Sequence, residues 1–520
     1  MKWGPAIIAL AFLLVAGLRM LAPEDLFQGD QEKQVGYVMD LLHGGALSVQ
    51  YEVNGRIATK PPLYNWCAAL ACLATDSTAP WVMKLPGLLA GAGALVLTYL
   101  LARRFLGAES AFWAALTMLA AHHVQKLIWF ARTDMLLTFT ILLAIYASVT
   151  LPARWWRAPL VGAVLGASFL TKGPVGPALY GVWLALWAWR QGSWRDRRHW
   201  LALLPGLTVL AGMAGVWLAA VWQDPQFQHT VLRGELADRL ASGGSRSKPF
   251  WYYVPLLLGR IAPWPLVAAG AVVVARRRRD ERWPEVLLAA LWFGVFFVLF
   301  SAIPAKRHDL LLPVYPPVFM LAGLGLHYLT GATGRRWTAL LVGALVLGAS
   351  AGVVAVAVRS GGGARFAAAA AGTVVCGGAA LWVFVRGRQQ TALVLALLAL
   401  TAMTAVESWS ASAETRAYAK LREFVEPVRA AAGAGQVAVW QAHPLVSYVL
   451  GLHQRGLDLP GVMAGGSASP RWVLAGKPLP AGVETASGPT LVPEGTLTVK
   501  GQGLDVTLYR VAGQQPRNSP

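Results

Sequence analysis

Charge is scarce in this sequence. Only 13% of its 520 residues are charged, against roughly a quarter in a soluble globular domain. Acids are scarcest, 25 against 45 lysines and arginines. Cysteine is nearly absent. Cys67, Cys72 and Cys376 stand in apolar surroundings, with neither metal-ligand spacing nor a disulfide framework. These shortages argue against a soluble enzyme, a disulfide-built domain and a zinc module. What fills the chain instead is apolar: 56% of residues are hydrophobic, in repeated runs near the ~20 residues that cross a bilayer. A polytopic α-helical membrane protein is expected, because helices satisfy their own backbone in lipid. The 23 tryptophans suit interfacial belts.

The formal net charge of +20 does not point to nucleic acid. The arginines fall in short clusters between apolar runs, which is a topology signal. About thirteen spans are expected. The first, roughly Pro5 to Leu21, reads as an uncleaved span rather than a removed signal peptide. With Met1 cytoplasmic, the inner loops hold Arg103/Arg104, Arg154/Arg157, Arg190 to Arg198, Arg276 to Arg282, Arg335/Arg336 and Arg386/Arg388. The runs Arg195–Arg198 and Arg276–Arg279 are topology anchors. Residues 1–407 are then a transmembrane domain, with a first outer loop over 23–80. Residues 408–520 form a small C-terminal α/β domain outside the membrane, with a helix over Thr415–Ala432 and strands near Gln436–Trp440, Trp472–Leu474 and Leu504–Tyr509.

In the first outer loop, Gln31–Leu42 has an apolar side from Val35, Val38, Met39, Leu41 and Leu42, as a surface helix would. Asp30 stands at its N-cap position and Gly44-Gly45 ends it. Asn54-Gly55 carries turn chemistry, and Leu63–Leu73 reads as a second interfacial helix. A second polar stretch, Gln223 to Phe250, carries Arg233, Glu235, Asp238 and Arg239. On this topology, one membrane face gathers Asp30, Glu32, Lys60, Arg132, Asp134, Lys172, Arg260, Lys306 and Arg307. Arg260 lies inside the apolar run of the eighth span, Tyr253 to Val274.

The motifs here are Gly29-Asp30, Lys60-Pro61-Pro62-Leu63-Tyr64-Asn65-Trp66, Lys84-Leu85-Pro86, Arg132-Thr133-Asp134-Met135, Thr171-Lys172-Gly173-Pro174, Pro263-Trp264 and Leu312-Pro313-Val314-Tyr315-Pro316. In this order over about the first 320 residues, they resemble the polyprenyl-phosphate-dependent glycosyltransferases of the GT-C class. Within that class they are most similar to the family of the lipid A aminoarabinose transferase and the protein O-mannosyltransferases. The resemblance implies a sugar donor on a polyprenyl phosphate and a lipid, glycan or protein acceptor. The reaction would run with inversion on the periplasmic face of a bacterial inner membrane. Membrane lipids are the surroundings, and no nucleic acid partner is implied. Asp30 would be the catalytic acid, and Lys60 and Arg260 the donor-phosphate ligands. Glu32, Arg132, Asp134, Lys172, Lys306, Arg307 and Tyr315 are candidate substrate-binding residues. Such chemistry needs fixed cations where a phosphate leaves and a carboxylate to take the acceptor's proton.

The chain departs from that pattern in places. The family's Asp-Glu pair is Asp30-Gln31 here, with Glu32 one residue on. Thr59 occupies the position of an acid before the lysine, which weakens the case for the divalent-metal site of some relatives, and no metal ligand is assigned. Leu310 stands where a tyrosine often follows.

Plainer readings exist for each residue. Asp30 can cap its helix, Lys60 can snorkel to headgroups, and Arg132 and Asp134 can pair only with each other. Lys172 can mark a turn between spans. His122 and His123 point apart on a helix, which suits structure better than a metal. Two other activities compete: transport or flipping of a lipid-linked substrate, which favours polar groups near the midplane, and ligation or polymerisation of lipid-linked glycans.

Overall fold

The computed structural model describes residues 3–27, 30–230, 247–331, 334–360, 364–409, 413–431, 436–454, 457–464, 470–479, 490–499 and 504–512. Arg233, Glu235, Asp238 and Arg239 lie outside the described residues. The helices begin with α1 (Gly4–Met20), α2 (Gln31–Leu42), α3 (Leu63–Thr75), α4 (Pro80–Leu106), α5 (Ala108–Ala120), α6 (His122–Ile128) and α7 (Thr133–Thr150). There follow α8 (Arg157–Lys172), α9 (Val175–Arg190), α10 (Arg197–Leu201), α11 (Leu204–Trp222), α12 (Tyr253–Arg260), α13 (Trp264–Arg278) and α14 (Trp283–Ala302). The remainder are α15 (Tyr315–Leu329), α16 (Arg335–Ser360), α17 (Ala364–Val385), α18 (Gln389–Val406), α19 (Ala413–Ala431), α20 (Pro444–Leu450) and α21 (Leu459–Ala464). Four strands complete the chain: β1 (Val437–Trp440), β2 (Trp472–Ala475), β3 (Thr490–Val499) and β4 (Leu504–Ala512).

The chain divides into two compact units. The first holds Met1–Ala22 and Lys84–Ser410; the second holds Pro23–Met83 and Ala411–Pro520. The first outer loop thus groups with the C-terminal residues, whereas the sequence was expected to join it to residues 1–407.

The first unit is a helical membrane bundle. Seven described helices are long and apolar enough to span a bilayer, or eight if the bent pair Phe250–Arg260 and Trp264–Arg278 is one span. Other helices are short for a span of about 17–25 residues: α8 and α9 have 16 and α5 has 13, while α1, with 17, stands at the lower limit. At the centre α5 packs on α15. Every residue of α5 from Ser110 and every residue of α15 from Tyr315 to Leu326 is buried. By contrast α11, equally apolar, buries only Gly206 and Val221, as a helix facing lipid would. Proline stands in the first turns of α11, α13, α14 and α15, where its missing N–H costs nothing.

The expected eighth span is not continuous. The chain turns by 97° between α12 and α13, and Arg260 ends the short α12. It is half-buried at a helix terminus, not inside an apolar run. The sequence hides this because the break, Ile261-Ala262-Pro263, is itself apolar.

Side chains tie the arginine-rich connections together at one end of the bundle. Arg282 donates to the Leu106 carbonyl at 3.1 Å, and Arg190 pairs with Glu285. His327 Nδ1 lies 3.0 Å from Glu109, whose other oxygen accepts from Gln390 at 2.8 Å. The Tyr328 hydroxyl donates to Asp280 at 2.5 Å. Five of the six loops expected to be internal therefore meet.

The second unit contains a mixed sheet in the order β1-β2-β4-β3. β1 and β2 run parallel, while β4 is antiparallel to both β2 and β3. Ala438, Leu459, Met463, Val473, Leu491 and Val511 form its core. The amphipathic α19 buries Thr415, Tyr418, Leu421, Val425 and Val428, one face at helical spacing. The expected helix and strands are present. β3 is additional, and a register shift between Pro493 and Gly495 interrupts its pairing, which masks the strand pattern in the sequence. α2 packs on α20, as does α19.

In the bundle, α8 and α11 cross where each has a glycine. A Cβ on Gly162 would stand 2.1 Å from the Gly206 carbonyl oxygen, and one on Gly206 would stand 2.4 Å from that of Ala158. Neither backbone can yield without parting the helices, an arrangement common between membrane helices. Gly162→Ala is therefore expected to cost about 1–3 kcal/mol, read as a lowered Tm of the detergent-solubilised protein. An unchanged Tm would mean that this crossing is loose.

Candidate active site

Asp30 sets the start of α2 but does not cap it. Its backbone is left-handed (φ 65°) and its side chain makes no capping hydrogen bond. That conformation is costly for a non-glycine residue and often accompanies function. Its carboxylate lies 3.4 Å from the Lys33 amine. Glu32, two residues along, is half-buried, and its Oε2 has no hydrogen-bond partner. Burial raises its pKa from the ordinary 4.5 to about 7, and the carboxylates of Asp30 and Glu52 push the same way.

Around these acids the loop is knitted by polar side chains. Gln34 bonds to Asn65, which donates to Gln50 at 2.9 Å. Gln50 in turn holds the carbonyls of Ala46 and Leu47 at 3.0 and 2.8 Å. Trp66 donates to Leu47 at 2.9 Å, and Tyr64 donates to Met83 at 2.9 Å. Asp40 accepts from the Tyr51 amide at 2.9 Å and lies 2.8 Å from His453 Nε2. Tyr64, Asn65 and Trp66 thus hold the loop in place. Lys60, half-buried in the turn before α3, belongs to the segment they fix. The turn at Asn54-Gly55 closes through Gly55 N–H to the Glu52 carbonyl at 2.9 Å.

The first unit carries a separate buried network at the end of α7 away from the arginine loops. Arg132 precedes α7 in extended backbone, which lets its guanidinium reach two acids: Asp309, and Asp134 at 3.0 Å. Lys172 closes on the other oxygen of Asp134. It ends α8, where Gly173 (φ +67°) turns the chain into α9, a conformation glycine takes without strain. Arg307 NH2 stands 3.8 Å from Asp309, and His123 Nε2 stands 3.7 Å from it. His123 Nδ1 meets the Tyr315 hydroxyl at 2.8 Å. Arg132, Asp134 and Asp309 are at most 5% exposed. Arg307 is 25% exposed, and its backbone is held by the Tyr253 hydroxyl at 3.1 and 3.2 Å.

Three cations here surround two carboxylates. Arg260 adds a fourth cation within electrostatic range of Tyr315. A buried cluster with surplus positive charge favours a phosphate. Lys306 differs: its amine is spent on the Ile303 and Lys248 carbonyls at 2.7 and 3.1 Å, which makes it a backbone clamp. Arg132 and Asp134 do pair, but as part of the larger network. Asp309 and His123 were not among the expected site residues. Asp309 is the one acid in Lys306-Arg307-His308-Asp309, and that isolation was its signal. His123 gave none, because its partners are distant in sequence.

Comparison with known proteins follows from this geometry. The family described as dolichyl-phosphate-mannose-protein mannosyltransferase matches residues 59–217, a span that includes Lys60, Arg132, Asp134 and Lys172. An undecaprenyl phosphate-alpha-4-amino-4-deoxy-L-arabinose arabinosyl transferase of Proteus mirabilis is 25% identical over 335 residues, 62% of this chain and 59% of the relative. One from Pseudomonas fluorescens is 26% identical over 336 residues, with the same coverage. The match thus spans about three fifths of these relatives' length. Among solved structures, ArnT from Cupriavidus metallidurans bound to undecaprenyl phosphate aligns over 99% of both chains, with a TM-score of 0.76 and 19% identity. The fold is that of ArnT. The archaeal oligosaccharyltransferase AglB from Archaeoglobus fulgidus, in complex with an inhibitory peptide and a dolichol-phosphate, aligns over 91% of this chain and 69% of its own, with a TM-score of 0.53 and 13% identity. The chain resembles the GT-C glycosyltransferases in both sequence and fold.

Two outcomes test this geometry. Removing one partner of a buried ion pair strands the others, at a cost of about 3–5 kcal/mol. Asp309→Ala should therefore lower Tm sharply, and an unperturbed Tm would show that the network is not coupled. For Glu32, the folded state holds its proton more tightly between about pH 4.5 and 7. Stability should then fall as pH rises through that window, by up to about 3 kcal/mol. Glu32→Gln should flatten that profile in a Tm-versus-pH series.

Proposed function

We propose that this protein is an integral-membrane glycosyltransferase that moves a sugar from a polyprenyl-phosphate donor to a lipid, glycan or protein hydroxyl. The observation that carries the reading is the buried, cation-rich network of Arg132, Asp134, Lys172, Arg307 and Asp309 at one end of the bundle. Its placement at an end, away from the midplane, supports an enzyme over a transporter, because transporters concentrate such groups midway. The similarity to arabinosyl transferases acting from undecaprenyl phosphate and to a mannosyltransferase family supports the donor class.

The chemistry assigns a task to each group. The acceptor oxygen attacks the anomeric carbon while the bond from that carbon to the phosphate oxygen breaks. The phosphate leaves with the electron pair, and the sugar carbon inverts. Asp30 takes the acceptor's proton. Lys60 and Arg260 neutralise the departing phosphate, while Glu32, Arg132, Asp134, Lys172, Arg307 and Tyr315 serve substrate binding. Lys306 supports the loop that carries Arg307. The donor sugar is a hexose or pentose. No step is routed through a metal, because Thr59 supplies no anionic ligand beside Lys60.

The same reading places the protein in a bacterial inner membrane as a multi-pass chain of about thirteen spans. The arginine-rich end and the N-terminus are cytoplasmic by the positive-inside rule, and the C-terminal α/β residues are periplasmic.

The test is transfer from radiolabelled polyprenyl-phosphate sugars in membranes. Wild type should yield a labelled product. Asp30→Asn and Lys60→Ala, at matched levels of folded protein, should each lose about 10²-fold or more. Full transfer by both variants would remove Asp30 and Lys60 from the site and reopen the transport reading.

A further inference from the structure

The bundle holds a second site, at the end opposite the ion network. A cavity of about 370 Å³ lies among α7, α8, α9, α10 and α11, within the range of about 300–1,000 Å³ common for small-molecule sites. Its walls are apolar, from Val161, Leu165, Pro177, Leu184, Leu207 and Leu210. It reaches the surface at Gly181, which is exposed. Ser148 on its wall is fourteen residues along α7 from Asp134, about 21 Å at the rise of a helix, so the cavity is no part of the network above.

Its polar groups fall into two sets. Ser148 and Tyr180 satisfy each other, hydroxyl to hydroxyl, at 2.7 Å. Arg157 and His199 do not. Of the five N–H donors on Arg157, one is given to the Leu151 carbonyl at 3.3 Å. His199 Nε2 is buried with no hydrogen-bond partner. Exposed Arg195, Arg197 and Arg198 follow in sequence. Trp155, Trp189, Trp194 and Trp200 are 85%, 51%, 49% and 38% exposed, and tryptophan so placed marks headgroup level. An apolar slot opening to the bilayer, with unspent donors and surplus positive charge at headgroup depth, matches one chemistry: an acyl chain below an anionic phosphate.

We propose that this cavity binds an anionic phospholipid, with an acyl chain lying along α9 and α11 and the phosphate held by Arg157 and His199. Its source is the leaflet at the arginine-rich end of the bundle.

The experiment uses the full-length protein in nanodiscs containing equimolar phosphatidylglycerol and phosphatidylcholine. After transfer to detergent, retained lipid is counted by native mass spectrometry. Wild type should keep phosphatidylglycerol over phosphatidylcholine by roughly fivefold, about what one basic group contributes near a membrane surface. Gly181→Leu should empty the site. A Cβ at Gly181 meets nothing within 4 Å, so the larger side chain fills space without forcing the helices apart. Arg157→Gln should keep lipid but lose the headgroup preference, and Arg157→Lys should restore most of it. Arg157 also supports the Leu151 carbonyl, so Gly181→Leu decides the matter if Arg157→Gln fails to fold. Equal retention of both lipids by wild type, or undiminished retention by Gly181→Leu, overturns the proposal. Loss of lipid to millimolar inorganic phosphate would make the site one for a free anion and overturn it as well.

Discussion

Two carboxylates, Asp134 and Asp309, are buried inside a helical membrane bundle, and much else at that end of the bundle depends on how they are neutralised. An isolated buried carboxylate is strongly unfavourable. Here Arg132 lies between the two and reaches both because the chain is extended just before α7. Lys172 then fixes the end of α8 against α7, and Arg307 and His123 fix the turn before α15 and the short α6. Four segments, drawn from between His123 and Asp309, are thereby pinned at one point. Among the described residues the cluster holds three cations, Arg132, Lys172 and Arg307, and two carboxylates. A purely structural cluster would gain from exact neutrality, since the extra cation must otherwise be solvated.

The two ends of the bundle are built on different rules. At the arginine-rich end, the pairs are partly exposed: Arg190 with Glu285 are 23% and 22% exposed. Such pairs add little to stability. Their use is in joining five connections. At the other end, the charges are few, buried and mutually bonded, which gives fixed geometry instead of adaptable surface charge.

Much of this was legible in the sequence because the relevant signals are local. Apolar runs gave the helices, α2 falls on Gln31–Leu42 as its apolar pattern indicates, and β1, β2 and β4 fall on short runs rich in apolar and β-branched residues. What was not legible was non-local. The 97° bend after Arg260 lies in an apolar stretch that reads as continuous. The grouping of the first outer loop with the C-terminal residues depends on contacts such as Asp40 with His453, which no spacing announces. In the site, Arg132, Asp134 and Lys172 stood out as charges at helix ends. His123 did not, because its meaning comes from Asp309 and Tyr315, nearly two hundred residues away.

The motif Lys60 to Trp66 shows how far resemblance reaches. Tyr64, Asn65 and Trp66 each spend their polar atom on holding the loop: Met83, Gln50 and Leu47 receive them. Sharing these residues with other proteins therefore speaks for a shared loop shape, and through it for the position of Lys60. It says little about which sugar is carried. That information must sit where the chain departs from the pattern, at Gln31, Thr59 and Leu310. Gln31 is fully buried beside Asp30 and donates to the Asp25 carbonyl at 3.4 Å. A neutral amide thus follows Asp30, and the acid one residue on is pushed toward its neutral form near pH 7.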